Sequence, residues 1–206
     1  MMYRLMDRAM FWELVTLARN PIGLVEVRGV SKRQKKPYIL TLDQYHAVVE
    51  ELSEPYKQMV QVAMCLGLRV SEILALKWSD FDFENLTLQV VRGVVDGRVD
   101  DVKTEYSEDE LPLDSAFAEV MLAWRERCPK SVSDWVFPSA DTGMPYHASP
   151  ICQDYIRPAG TKAGLTKTIG WHTYRHAYRS FLDDVGAPLG VQQKLMRHAQ
   201  IGTTMN

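Results

Sequence analysis

The stretch "GWHTYRHAYRSF", residues 170–181, sets His172, Arg175, His176 and Arg179 within eight positions. Residues three and four apart share one side of a helix, so the segment is read as a helix with a cationic face. Two His at i and i+4 raise a metal site; two Arg on the same side raise a phosphate. A zinc hydrolase would present His-Glu-x-x-His, with the Glu as general base. Here Thr173 follows His172, and Arg175 stands between the two imidazoles, where it would repel a dication. No Asp or Glu follows until Asp183 and Asp184. A metal is therefore not expected, whereas a guanidinium offers paired, permanently charged donors that match two phosphate oxygens.

Working outward, the chain reads as mainly helical. Helical patterning covers 3–18, ended by "RNP" because the residue before a proline leaves the helical region. Thr41, with Gln44 three residues on, reads as a capping box that opens a second unit. Helical patterning follows through "YHAVVEEL" (45–52), again from "EPYKQMVQVAMCLGL" (54–68) with Gly67 as its break, and in "RVSEILAL" (69–76). Period-two patterning in "LTLQVV" (86–91), the hairpin signal Asp96-Gly97 and "ELPL" predict three short strands. Helices return at 114–127, 147–164, 172–184 and 188–197. The expected fold is mainly α with a small three-stranded antiparallel sheet (α+β).

The 206 residues are 46% hydrophobic, enough to bury a core. No apolar run has the length of a membrane helix and no segment has the layout of a secretory signal, so no membrane partner is expected. Cys65, Cys128 and Cys152 show no paired spacing, which points to a reducing cytoplasm. The net charge of −2 is unevenly spread. Residues 1–40 carry eight Lys/Arg against three Asp/Glu, and residues 155–206 seven against two, while 41–154 carry nine against twenty-one. Basic ends fit a locally contacted anionic partner; ordinary charge scatter explains them equally well. Lys32, Arg33, Lys35 and Lys36 lie in a basic connector, either a solvated linker or a DNA-backbone strap.

A second guanidinium for the clamp is Arg69 in "CLGLRVSEILAL" (65–76), beside Glu72. Alone, an i, i+3 ion pair with Glu72 is the simpler account of it. Taken together, the segments resemble a known family. "GLRVSEILALKWSDFDF" is similar to the first box of the tyrosine recombinases (phage integrases), and "HTYRHAYRSFLDDVGAPLGVQQKLMRHAQIGTTM" to their second. "VKTEYSEDELPL" looks like the β-hairpin between the boxes. The resemblance covers residues 38–206 and makes 1–37 the remnant of a core-binding helix plus a basic linker.

The resemblance implies DNA strand transfer for site-specific recombination, as in integration of a mobile element. Tyrosine attack leaves a 3′-phosphotyrosyl link, so no cofactor is required. It implies that Arg69 and Arg175 hold the scissile phosphate and that Lys103 protonates the leaving oxygen. His172 and His198 assist proton movement. Glu72 and His176 support the site, and Arg179 is a DNA-backbone candidate. Lys103 alone reads as a solvated hairpin lysine and His198 as a helix-terminal imidazole. The partners implied are double-stranded DNA and further recombinase subunits. The family's tyrosine follows the last His by nine or ten residues and would fall just beyond Asn206. The chain is thus expected to bind DNA without cleaving it alone. A type IB topoisomerase-like enzyme and a non-catalytic DNA-binding or regulatory module are the alternatives. Tyr174, Tyr178, Phe181 and Trp171 read as packing residues.

Overall fold

The computed structural model describes residues 2–25, 37–95, 97–101 and 110–197. They fall into two compact units, Met1–Lys36 and Pro37–Asn206. In the first, α1 (Met2–Phe11) is followed by a 3₁₀ turn at Pro21–Leu24. The Asn20 side chain caps that turn at Ile22 N–H and donates to the Tyr3 carbonyl (3.0 Å) and the Asp7 carboxylate (2.6 Å). The helix stops well short of the expected residue 18. Glu13 turns the chain out of the helical region at φ +56.

In the second unit the capping box forms as read: Thr41 Oγ1 accepts from Gln44 N–H and Gln44 Oε1 from Thr41 N–H. It opens α2 (Leu42–Glu50), which packs on α3 (Tyr56–Leu66). Gly67 ends α3 at φ +61, a left-handed position that glycine adopts without a Cβ penalty. After α4 (Val70–Leu74) come β1 (Phe81–Asp82), β2 (Thr87–Gln89), β3 (Arg92–Val95), β4 (Arg98–Asp101) and β5 (Glu110–Pro112).

The three-stranded antiparallel sheet has the order β1-β2-β5, with Leu88 opposite both Phe81 and Leu111. Its composition differs from the expected one. β1, only two residues long, carries no periodicity to read, and the hairpin signalled by Asp96-Gly97 pairs β3 with β4 as a separate ribbon. α5 (Ser115–Arg127) is capped by Asp114. Then α6 (Ala148–Ile151) runs through a π-helical turn at Cys152–Ile156 into α7 (Arg157–Lys162). α8 (Trp171–Asp184) lies along α3, and α9 (Leu189–Leu195) follows.

The core gathers the apolar stripes of these elements: Val48, Met59, Val62, Ile73, Leu74, Leu88, Met121, Ile156 and Tyr174 are all buried. Tyr174 and Trp171 are packing residues as read, the Trp171 indole N–H reaching the Ala148 carbonyl at 3.1 Å. By setting α3 against α8 and α4 against β3, this packing brings the two motif segments together.

Candidate DNA-phosphate site

Arg69 occupies the N-cap position of α4. Glu72 folds back on it: Oε2 accepts from the Arg69 backbone N–H at 2.8 Å and Oε1 from Nη1 at 3.0 Å. The ion pair weighed from the sequence is thus present, yet the Arg69 side chain keeps 44% of its exposure while Glu72 keeps 4%. Arg175, in the second turn of α8, is buried. Its Nη1 donates to the carbonyl of Gly67, 108 residues away, and its Nη2 to the carbonyl of Met196. One guanidinium therefore ties the end of α3, which leads into Arg69, to the end of α9.

Arg69 and Arg175 lie close enough to repel each other. Burial first, then the charges of Arg69 and Arg197 opposed by Glu72, depress the Arg175 pKa to about 10, still protonated at neutral pH. Arg197 completes the cluster, its Nη1 at 3.4 Å from Glu72 Oε1 and its Nη2 donating to the Val90 carbonyl at 3.1 Å. Arg69, Arg175 and Arg197 thus surround a single carboxylate, Glu72, an excess of positive charge that favours an anion. A guanidinium has five N–H donors, so the two carbonyls leave Arg175 with donors in reserve.

His172 stands in the first turn of α8 and lines a cleft of about 310 Å³ with Val70, Ser149, Cys152 and Arg157. Val70 is the neighbour of Arg69, so this cleft adjoins the guanidinium cluster. His176 is held below the ordinary imidazole pKa by desolvation and by the charges of His172, Arg179 and Arg175. It is therefore a neutral hydrogen-bonding group at pH 7. Arg179 is 21% exposed and faces Asp183 at 3.9 Å. Lys103, His198, Lys32, Arg33, Lys35 and Lys36 lie outside the described residues. Among the described residues no group of three or more His, Cys, Asp or Glu is placed to hold a metal ion.

Two features were not legible in advance. Arg197 sits in "LMRHAQ", where it reads as an ordinary helix-end charge. Arg92, at the base of the β3–β4 ribbon, grips Asp80 with both nitrogens, at 3.0 and 2.5 Å, and reaches the Ala75 carbonyl at 3.3 Å. That contact ties the ribbon to the segment following α4. Asp80→Asn keeps one acceptor but loses the charged fork. It is expected to cost about 2 kcal/mol in a denaturant titration. Parental stability in that variant would show that the fork contributes nothing.

The fold recurs in known proteins. The structure superimposes on the Tn1549 transposon integrase in complex with circular intermediate DNA with a TM-score of 0.80. That match covers 96% of this chain and 71% of the integrase at 20% identity. On XerA recombinase the TM-score is 0.68, over 95% of this chain and 66% of the other, at 23% identity. In sequence, the chain is 29% identical over 200 residues to a putative integrase/recombinase, y4qK, of Sinorhizobium fredii, covering 94% of this chain and 59% of that protein. It is 28% identical over 202 residues to the tyrosine recombinase XerD of Staphylococcus aureus, covering 91% and 62%. The chain thus spans about three fifths of the length of the curated relatives it matches. The sequence model of the phage integrase family matches residues 39–206, the span that carries Arg69, Glu72, Arg175 and Arg197. With that match and this fold together, the chain belongs to the phage integrase family.

Proposed function

We propose that the chain is the catalytic domain of a DNA site-specific recombinase, which binds duplex DNA through its phosphates. In the complete protein it would transfer strands through a 3′-phosphotyrosyl intermediate. The observation that carries this reading is the convergence of Arg69 and Arg175 from distant segments, tied through the Gly67 carbonyl, in a cluster of excess positive charge. Two guanidinium groups on one phosphate neutralise the charge that builds as a nucleophile attacks. His172, on the adjoining cleft, is placed to hydrogen-bond the same phosphate. Lys103 and His198 enter the reading from the family resemblance, as the proton donor to the leaving oxygen and a second imidazole. The basic segment with Lys32, Arg33, Lys35 and Lys36 would strap the DNA backbone. Further recombinase subunits are expected on the DNA, and the cytoplasm is the site of action.

Of the described tyrosines, Tyr174 is fully buried and its hydroxyl pKa is raised by that burial, which unsuits it as a nucleophile. Tyr178 lies beside Arg175, but burial raises its hydroxyl too. Neither stands at the family's nucleophile position, nine or ten residues after His198. Residues 1–206 alone are therefore expected to bind duplex DNA with a steep loss of affinity on added salt, as phosphate contacts require. They are expected to form no covalent adduct on a nicked suicide duplex. Salt-independent binding would remove the phosphate reading; a 3′-linked adduct would remove the nucleophile assignment and leave the clamp intact.

One observation favours a second reading. Arg175 spends two donors on backbone carbonyls, which is what a residue kept for structure would do in a non-catalytic DNA-binding module. The Arg175 variants argued in the Discussion separate the two.

A further inference from the structure

Arg197 adopts φ +52, a left-handed conformation that costs a side-chain-bearing residue and that glycine takes freely. An outlier of this kind is the starting point for a functional hypothesis. Its side chain is 4% exposed and its guanidinium is turned inward, onto Glu72 and the Val90 carbonyl. What it does reach is Glu72 Oε1, the oxygen that also holds Arg69 Nη1. It is fixed there by the Val90 carbonyl, while the carbonyl of the preceding residue, Met196, is held by Arg175.

We infer that Arg197 is a positioning residue of the phosphate clamp: by sharing the Glu72 carboxylate it keeps Arg69 available to an anion and pins the end of α9 over α4. The physical reason is charge sharing. A carboxylate that faces one guanidinium in partly buried surroundings forms a strong, closed pair, and Arg69 would then lose part of its charge to its own helix. A second guanidinium on the same oxygen weakens that hold. Arg69, with 44% of its side chain exposed, keeps its pull on a phosphate. The same anchoring fixes the backbone immediately before His198. This inference rests on the reading of Arg69 and Arg175 as the clamp.

The test is the salt dependence of duplex binding by the 206-residue chain, followed by fluorescence anisotropy of a short labelled DNA. Arg197→Gly relieves the backbone and deletes the guanidinium; Arg197→Met deletes the charge and keeps much of the buried volume. Each is expected to make the slope of log K against log salt shallower by about 0.9, the equivalent of one phosphate contact. That loss is assigned to Arg69, the exposed guanidinium on the shared carboxylate. Adding Glu72→Gln to Arg197→Gly is expected to restore the parental slope, because the neutral amide no longer holds Arg69. The double variant removes the buried Glu72–Arg197 ion pair as a unit, so it remains informative where a single variant fails to fold. A purely structural Arg197 would change thermal stability and leave the slope alone, and that result overturns the inference. Shallow slopes without rescue in the double variant overturn it as well. Arg69→Ala separates the two levels: a parental slope in that variant rejects the clamp itself, whereas a shallow one beside unchanged Arg197 variants rejects only the positioning role.

Discussion

Arg175→Ala is expected to lower both stability and DNA affinity, the first by about 2–4 kcal/mol and the second by about 100-fold. Two buried carbonyls, of Gly67 and Met196, lose their donor together, and each unsatisfied buried group costs about 1–3 kcal/mol. Relief of the repulsion from Arg69 and Arg197, and of the guanidinium's own desolvation, offsets part of that cost. For a chain of this size the midpoint of thermal unfolding should fall on the order of 10 °C. The loss of affinity has a separate origin, a charge-assisted contact to phosphate that is worth about 2–5 kcal/mol when one partner is deleted. Arg175→Lys divides the effects. It keeps the charge but cannot serve two carbonyls and a phosphate at once, so affinity should fall about tenfold with a comparable loss of stability. A lysine variant that binds DNA like the parent and only melts earlier would leave Arg175 a structural residue, and the non-catalytic module would be the better reading.

The two motif segments were legible because their chemistry is local. The i, i+3 and i+4 spacing of His172, Arg175, His176 and Arg179 already implies one helical face, and α8 carries them as expected. Arg69 beside Glu72 announces an ion pair, and the pair forms. The alternatives weighed for Arg69 did not exclude each other: it is bonded to Glu72 and still repels Arg175. Glycine 67 as a helix end and Thr41 as a cap were equally readable, since each depends on a few neighbouring residues.

What escaped the sequence depends on distant packing. Arg197 is buried because the segment after α9 reaches Glu72 on α4 and the Val90 carbonyl between β2 and β3, and no spacing rule reports that. The two-residue strand β1 is defined by its pairing with β2, not by strand character in "FD". The π-helical turn at Cys152–Ile156 leaves no trace in the hydrophobic pattern of 147–164. The overlong reading of α1 erred the other way: a periodic pattern continued past Phe11, but Glu13 leaves the helical region at φ +56.

Gly67→Ala is expected to cost about 2–5 kcal/mol and to weaken DNA binding without touching a DNA-facing side chain. The left-handed backbone at φ +61 accounts for about 1–2 kcal/mol, because a Cβ there crowds its own carbonyl. The space accounts for the rest. A Cβ at this position would stand 2.3 Å from Tyr178 Cδ1 and 2.7 Å from Cε1, far inside contact distance, so the ring must move at about 1–3 kcal/mol. Tyr178 lies on α8 one turn beyond Arg175. The Gly67 carbonyl is also the acceptor for Arg175 Nη1. A displaced ring and a shifted carbonyl therefore act on the same guanidinium. A double-mutant cycle with Tyr178→Ala isolates the steric part: deleting the ring should recover about 1–3 kcal/mol of the alanine's cost and leave the backbone part. Strict additivity in denaturant titrations would mean that the ring yields freely. The tight approach of α8 to the α3 end would then not set the position of Arg175. Coupling together with restored DNA affinity would instead show that glycine is required at 67 because the clamp is assembled across it.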